Sequence, residues 1–386
     1  MSGLGLVEFV KAARAQFGEL AGAGNGNVKL LRLALGNSSG DMDSVVSSIG
    51  FSYFSSLANA EAEADVHKQI LPVISFHRDD LKLRKDIEYT LHKVGLFEDD
   101  LIFINDVAKL KCDRYELNLV DHNEIDSEFF KSEGIREKAT VVSIIDHHVD
   151  GGLYGDTTNP RIIETCGSCS SLVYRYFAKE IVDATLNEPE RELLLTPILI
   201  DTSCLTQRTE NADKEAVAAL TKGHETTVNL EALTDKAKAE KHNTAGLTMY
   251  DLLRKDYKEY DDCGTDLKLG ISSVGESISQ LRERYGGDTA VAAAVAEWMQ
   301  QRHLYVFALM TSYVDDGDAF TREIALFTSV PGLKEALVAQ LTGSLRLEPA
   351  AGVDSVWYFQ RDVQKSRKAV APLLRAALRG MKASQH

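Results

Sequence analysis

Several things are scarce in this sequence. Its 386 residues include only 7 prolines, 5 cysteines and 2 tryptophans, and acidic residues outnumber basic ones enough to leave a net charge of −15. No stretch approaches the roughly 20 consecutive apolar residues that a membrane-spanning helix needs, so no membrane partner is expected. Met1–Glu19 mixes apolar and charged residues without a long apolar centre and reads as a short surface helix, not a signal peptide. The expected compartment is the cytoplasm. An odd cysteine count in a long chain without a signal points to reduced thiols. Cys166-Gly-Ser-Cys169 has zinc or redox spacing but no second pair, and its small neighbours favour a tight turn into a helix. The want of basic residues disfavours nucleic acid, since duplex-binding proteins carry a basic face. It does not exclude a polyanionic substrate, because bound divalent cations can invert the local field.

What is present is a soluble globular composition, 44% hydrophobic and 26% charged, in a chain too long for one ordinary core. Two domains are expected. Apolar runs at Val28–Leu35, Leu71–Ser75, Leu101–Ile104, Leu117–Val120 and Val141–Ile145 read as buried strands. A flexible lead-in, Gly22–Asn27, precedes them. Between and after them, Met42 onward, Asp79–Val94, Ser168–Lys179 and Glu190–Ile200 have helical periodicity. Alternating strands and helices imply an α/β fold whose mainly parallel sheet is flanked by helices. The polar stretch 221–246 reads as a linker, helical in part. A smaller α/β segment follows, with strands at Leu267–Val274, Leu304–Tyr313, Glu323–Ser329 and Val353–Phe359, and helices at Ala290–Arg302, Gly332–Leu341 and Arg367–Lys382. The division is thus 1–220, 221–246 and 247–386.

Four short segments carry carboxylates or histidines at strand or helix ends: Asn37 to Asp43, Val120-Asp-His-Asn123, Ile145-Asp-His-His148 and Ile200-Asp201. Ligand sites in open α/β sheets form outside the carboxyl ends of the strands. Any one of these aspartates could simply cap a helix or a turn. Four segments together, with adjacent imidazoles, are harder to explain that way. Burying several carboxylates side by side is costly without cations. Two divalent ions resolve that cost, and about 3.5–4 Å apart they clamp a phosphoryl centre and lower the pKa of a water between them. An oxygen-rich set with little imidazole and no thiolate favours Mg2+ or Mn2+ over zinc.

The Asp146-His147-His148 run, the Asp41-x-Asp43 turn and the isolated Asp121 and Asp201 segments resemble the DHH phosphoesterase superfamily, and the second half resembles its DHHA2 branch. GNSSGDMDS, RDDLKLRKD, GSCSSLVY, LIDTS, LLRKDYKEY and SRKAVAP are most similar to the eukaryotic cytosolic exopolyphosphatases. The resemblance implies a catalytic DHH domain at 1–220, a substrate-binding DHHA2 domain at 247–386 and an active site in the cleft between them. It implies that Asp41 holds one ion and Asp43 the other, that Asp121 bridges both, and that His147 and Asp201 bind the second. It places His148 on the substrate phosphates and Asp146 behind the imidazoles as orienter. Asn37 joins the ligand set where the related pyrophosphatases have histidine, a departure that counts against pyrophosphatase as the main activity. From the second domain, Lys258, Arg367 and Lys368 are implied to bind phosphate. Without the resemblance, Arg367 and Lys368 read as a solvated helix start, and His77-Arg78 and Arg84-Lys85 as helix-surface charge. The expected activity is removal of the terminal phosphate of inorganic polyphosphate by a monomer. Pyrophosphatase, cyclic-nucleotide phosphodiesterase and a non-enzymatic regulatory scaffold are the rivals.

Overall fold

The computed structural model describes residues 4–22, 28–58, 69–184, 186–224, 227–263, 267–315, 317–350 and 357–383. Apart from Gly22, the lead-in at 22–27 lies outside the described residues, as does 353–356 of the strand expected at Val353–Phe359. The chain divides into two compact units, Met1–Asn243 and Thr244–His386. No helix among the described residues is long and apolar enough to cross a membrane.

The first unit is built on β1 (Leu31–Leu35), β2 (Ile70–Val73), β3 (Tyr115–Val120), β4 (Ala139–Asp146) and β5 (Arg161–Ile163). They lie in the order β2-β1-β3-β4-β5 with every pair parallel. Period-two alternation sorts their side chains into two cores. Leu31, Leu33 and Leu35 of β1 pack on one face with Leu117, Leu119 and Val141. Ala34, Val120 and Ile145 face the other way, against the helices Met42–Ala58, Cys169–Tyr176 and Glu188–Asp201. With both faces covered, these strands read as nearly continuous apolar runs. The helix Met42–Ala58 is buried along most of its length, and its serines and Gly50 permit close approach by neighbours such as the Tyr174 ring.

Chain order reverses between β1 and β3. β2 lies on one side of β1 and β3 on the other, so a crevice opens at the carboxyl ends of these two strands.

Some expectations differ from the structure. The N-terminal helix, Leu6–Gly22, is not a surface element: Leu6, Phe9 and Val10 join the larger core of the unit. The spacing of Leu6, Phe9, Val10, Ala13 and Phe17 is that of an amphipathic helix docked by one face. Leu101–Ile104 forms only an isolated bridge, Phe103 to Ile74. The Asp106 carboxylate accepts Phe103 N (3.1 Å) and turns the chain into a short helix at Ile104. The Asp79–Val94 segment is two pieces, a 3-10 helix Arg78–Leu83 and an α-helix Lys85–Lys93, broken at Arg84. The stretch 221–246 contains the helix Leu230–His242, whose Leu233, Thr234 and Ala237 are buried. Its residues up to Asn243 belong to the first unit.

The second unit holds β6 (Tyr257–Tyr260), β7 (Leu269–Val274), β8 (Val306–Val314), β9 (Phe320–Thr328), β10 (Leu347–Pro349) and β11 (Trp357–Gln360), in the order β10-β11-β9-β8-β7-β6. Only β7 and β8 run parallel; the other pairs are antiparallel. One face packs Ile271, Ala308, Met310 and Ile324 against Leu337 and Leu341 of the helix Leu333–Leu345 and Leu374 and Leu378 of the helix Arg367–Ala383. β6 is an edge strand.

Candidate metal centre

The turn after β1 is shaped by two glycines. A Cβ on Gly36 would lie 2.6 Å from Ser44 Cβ, so only glycine lets the strand end press against the next helix. Gly40 has φ +55°, and a side chain there would collide with the Phe76 ring. The turn delivers Asp41 to the N-cap of Met42–Ala58, where its Oδ1 accepts Ser44 N (3.1 Å). From outside, Arg84 donates to the carbonyls of Gly40 (3.1 Å) and Ser39 (2.8 Å) and stacks on Phe76.

Asp121, immediately after β3, sits in left-handed backbone at φ 63° and is 2% exposed. Such a conformation costs a non-glycine residue about 1–2 kcal/mol and is concentrated at functional sites. Its Oδ2 accepts Ser44 Oγ (2.6 Å) and Asn37 Nδ2 (2.8 Å). Its Oδ1 lies 3.2 Å from His147 Nε2 and 3.7 Å from His148 Nδ1. Asn37, expected as a ligand, spends its amide oxygen on Ser39 N (3.0 Å) and Gly40 N (3.2 Å) and turns its NH2 toward Asp121.

Asp43 is buried and receives five donors: Ser168 Oγ (2.8 Å), Cys169 N (2.6 Å), Ser170 N (2.9 Å), Ser170 Oγ (2.7 Å) and Ser47 Oγ (3.2 Å). The first four come from the start of the helix Cys169–Tyr176, where free N–H groups and the dipole favour an anion. The Gly-Ser-Cys-Ser run therefore is a tight turn into a helix, and it cradles a carboxylate. Its cysteines are free thiols. Cys166 Sγ donates to Asp213 Oδ1 (3.1 Å) and Cys169 Sγ to the Ile145 carbonyl (3.1 Å).

Asp201 is the last residue of Glu188–Asp201, at the negative end of a helix dipole. Ser203, Cys204 and Leu205 follow with φ of 47°, 57° and 61°, three consecutive left-handed residues that turn the chain sharply. Burial and the Asp43, Asp41 and Asp121 charges push the Asp201 carboxyl up to about 8. Burial and Asp43 push Asp121 up to about 7, against the help of His147. Asp41 keeps solvent contact, yet crowding by protein and the Asp43 charge raise it too, opposed by the Lys241 ammonium. Carboxylates on β1, β3 and a helix end thus repel one another within one crevice.

His147 Nδ1 faces the Cys166 carbonyl (3.0 Å), so it carries the proton and leaves Nε2 directed at Asp121. Burial opposes a second proton, but the contact with Asp121 and the Asp43 charge outweigh it, and the ring rises to about 9. His148 Nδ1 donates to Asp146 Oδ1 (2.8 Å), and half its side chain is open. Asp146 is fully buried. Burial works against its charge, but bonds from the His148 ring, Asn123 Nδ2 (2.5 Å) and His148 N (3.2 Å) hold it below the usual range. Asp121, His147 and His148 alone already place one ligand atom each within 4.8 Å of one another, close enough to share an ion.

Lys258, Arg367 and Lys368 belong to the second unit. Lys258 and Lys368 are exposed, and Arg367 pairs with Asp256, donating to its carbonyl (2.6 Å) and carboxylate (2.7 Å). That pair brings the start of the helix Arg367–Ala383 to the segment entering β6, which carries Lys258.

Sequence reasoning missed several supporting residues. Arg84 is a clamp on the Asp41 turn, not loose helix charge. Arg78 is likewise held, by Asp106 (2.6 Å) and the Leu101 carbonyl (3.2 Å). Asn123 fastens Asp146 and also bonds Val149 O (3.0 Å) and Gly151 N (2.9 Å). Its place two residues after Asp121 was the available signal. Lys241 lay in a stretch read as linker, and Asp213 in no motif.

Residues 33–199 match the DHH family, N-terminal domain, and residues 235–377 match the DHHA2 domain. A Schizosaccharomyces pombe protein named "Putative exopolyphosphatase" is 31% identical over 360 residues, covering 88% of both chains. The Homo sapiens protein named "Exopolyphosphatase PRUNE1" is 28% identical over 370 residues, covering 90% of this chain and 76% of that one. A Thermotoga maritima protein named "Probable manganese-dependent inorganic pyrophosphatase" is 37% identical over 135 residues, 32% of this chain and 23% of that one.

Proposed function

The chain belongs to the DHH family, in the branch that carries a DHHA2 domain, and on that premise we propose that it is an exopolyphosphatase. It removes the terminal phosphate of inorganic polyphosphate with the help of two divalent ions, Mg2+ or Mn2+. The observation that carries the proposal is the convergence of Asp41, Asp43, Asp121 and Asp201 with His147 Nε2 at the β1–β3 crevice. There burial and mutual repulsion raise Asp41, Asp121 and Asp201. The donor set fits divalent cations. It is mostly carboxylate oxygen, and its imidazole turns Nε2 toward Asp121. Asp41, Asp43, Asp121, His147 and Asp201 are the ligands in this reading, with Asn37 beside Asp121.

Ions held there supply Lewis acidity to a phosphoryl oxygen and acidify an attacking water. The protein's own residues do the rest. Asp146 accepts Nδ1–H of His148 and fixes the ring's orientation; an Nε2–H on that ring would donate to a phosphate oxygen. The Cys166 carbonyl orients the His147 ring through its Nδ1–H. Lys258, Arg367 and Lys368 of the second unit are the residues this reading gives to the remaining phosphate chain, whose charge they would offset. The relatives named as exopolyphosphatases support the substrate class, and Asn37 supports it over pyrophosphate.

Pyrophosphate hydrolysis is the second reading, favoured by the similarity to the Thermotoga maritima protein. Orthophosphate release from polyphosphates of graded length and from pyrophosphate, together with AMP formation from cyclic AMP, separates the possibilities. Polyphosphate is expected to be turned over fastest. A preference for pyrophosphate or the cyclic nucleotide sinks the proposal, and no turnover of any of them favours a scaffold.

A further inference from the structure

One buried carboxylate lies outside every motif of the site. Asp213, the third residue of the helix Asn211–Thr221, is fully buried and has no basic partner among the described residues. Five donors converge on it: Cys166 Sγ (3.1 Å), Gly167 N (3.0 Å), Ser168 N (3.2 Å), Ser171 Oγ (2.6 Å) and Glu210 N (2.8 Å). Four of the five belong to the segment Cys166–Ser171. A carboxylate accepts at about four lone-pair positions, so this one is saturated and fixes the segment at several points.

That segment supports the site from two sides. Ser168, Cys169 and Ser170 donate to Asp43, and the Cys166 carbonyl orients the His147 ring. It also abuts the turn after Asp201. A Cβ on Gly167 would collide with Thr202 and lie 2.7 Å from the Arg208 carbonyl and 2.9 Å from Asp213 Oδ2. Asp43, His147 and Asp201 are the three residues read above as sharing the second ion with Asp121. The support of Asp41 is separate: Ser44 N caps it and Arg84 clamps its turn. The two ion positions thus have different scaffolds behind them.

Resting on the metal-binding reading, we propose that Asp213 is a positioning residue for one ion position only, holding Asp43 and His147 through the Cys166–Ser171 segment. It touches no substrate and no ion. Supporting residues of this kind typically change metal affinity by about 10–100-fold.

The test is a titration of the chelator-treated full chain with Mn2+, followed by calorimetry and by electron paramagnetic resonance, in wild type and Asp213→Asn. Asparagine keeps the shape but turns an NH2 toward a ring of donors. The wild type is expected to bind two Mn2+. The variant should lose about 10–100-fold in one binding step and keep the other, folded by circular dichroism and with its melting temperature in chelator lowered by a few degrees. Asp201→Asn should weaken the same step. Ser171→Ala, which removes a single donor, should show the same selectivity on a smaller scale. It carries the test if Asp213→Asn does not fold. Equal loss at both steps, or no loss at either in a folded variant, overturns the proposal. A wild type that binds no Mn2+ overturns the metal-binding reading as well.

Discussion

The second unit's surface and the β1–β3 crevice of the first treat acidic side chains in opposite ways. In the second unit carboxylates meet cations: Glu259 pairs with Lys268 (2.5 Å), Asp256 with Arg367 (2.7 Å) and Asp262 with Arg375. Burial works against the Glu259 charge, but Lys268 and Tyr257 outweigh it and hold its carboxyl low. At the β1–β3 crevice of the first unit, carboxylates meet carboxylates, and Asp41, Asp121 and Asp201 are raised. Uncompensated crowding of this kind is what bound cations would relieve, which supports the metal-binding reading proposed above.

The strongest way to break this contrast is Asp121→Ala. In the proposed reading it removes the carboxylate common to both ion positions, while shortening only a buried side chain after a strand. Turnover should fall by more than about 10³-fold, beyond the loss typical of a supporting residue. Circular dichroism should show an intact fold, and near-full activity in the variant contradicts the two-ion assignment. Lys258→Ala probes the other half. It removes an exposed cation read as a phosphate contact, and a charge-assisted bond of about 1.5–3 kcal/mol corresponds to a KM increase of roughly 10–100-fold. Steady-state kinetics with kcat little changed is the expected result, and an unchanged KM separates Lys258 from the substrate.

Asn37→His sharpens the assignment at the crevice itself. An imidazole beside Asp121 should shift the ratio of manganese- to magnesium-supported activity upward by a few-fold. An unchanged ratio places Asn37 in the turn alone, where its amide oxygen already bonds Ser39 and Gly40.

The smallest effect is on stability. Asp121 and Asp201, raised to about 7 and 8, bind protons in the folded chain that the unfolded chain has released. Their contribution is complete below the ordinary carboxylate range and is lost as pH rises through 7 and 8. His147 acts in the same direction, losing its contribution as pH passes about 9. Asp146 and Asp213, both lowered, act the opposite way and only in acid. Melting temperature in chelator should therefore fall by a few degrees from pH 5 to pH 9, and less steeply in Asp201→Asn. A flat or rising profile contradicts the crowding.

Much of this was legible in the sequence, for identifiable reasons. β1, β3 and β4 are buried on both faces, so each appears as an apolar run, and the aspartates follow where such runs stop. Asp41, Asp43, Asp121 and the Asp146–His148 run were found that way. β5 was missed because Arg161–Ile163 is only three residues long and half-buried, too short to show a pattern. Leu101–Ile104 was overread because Asp106, outside the apolar run, turns the chain. Arg84 and Asp213 were unreadable for a deeper reason: each acts on residues distant in sequence through a few directed hydrogen bonds, and a lone Arg or Asp has no periodicity. Their roles exist only once β1, β3, β4 and the helices are brought together.

The most direct measurement is anomalous scattering at the manganese edge from crystals of the protein grown with Mn2+. Two peaks are expected among Asp41, Asp43, Asp121, His147 and Asp201, with Asp121 touching both. No peak at these residues, in crystals where the crevice is open to solvent, would contradict the reading of the β1–β3 crevice as a two-metal centre.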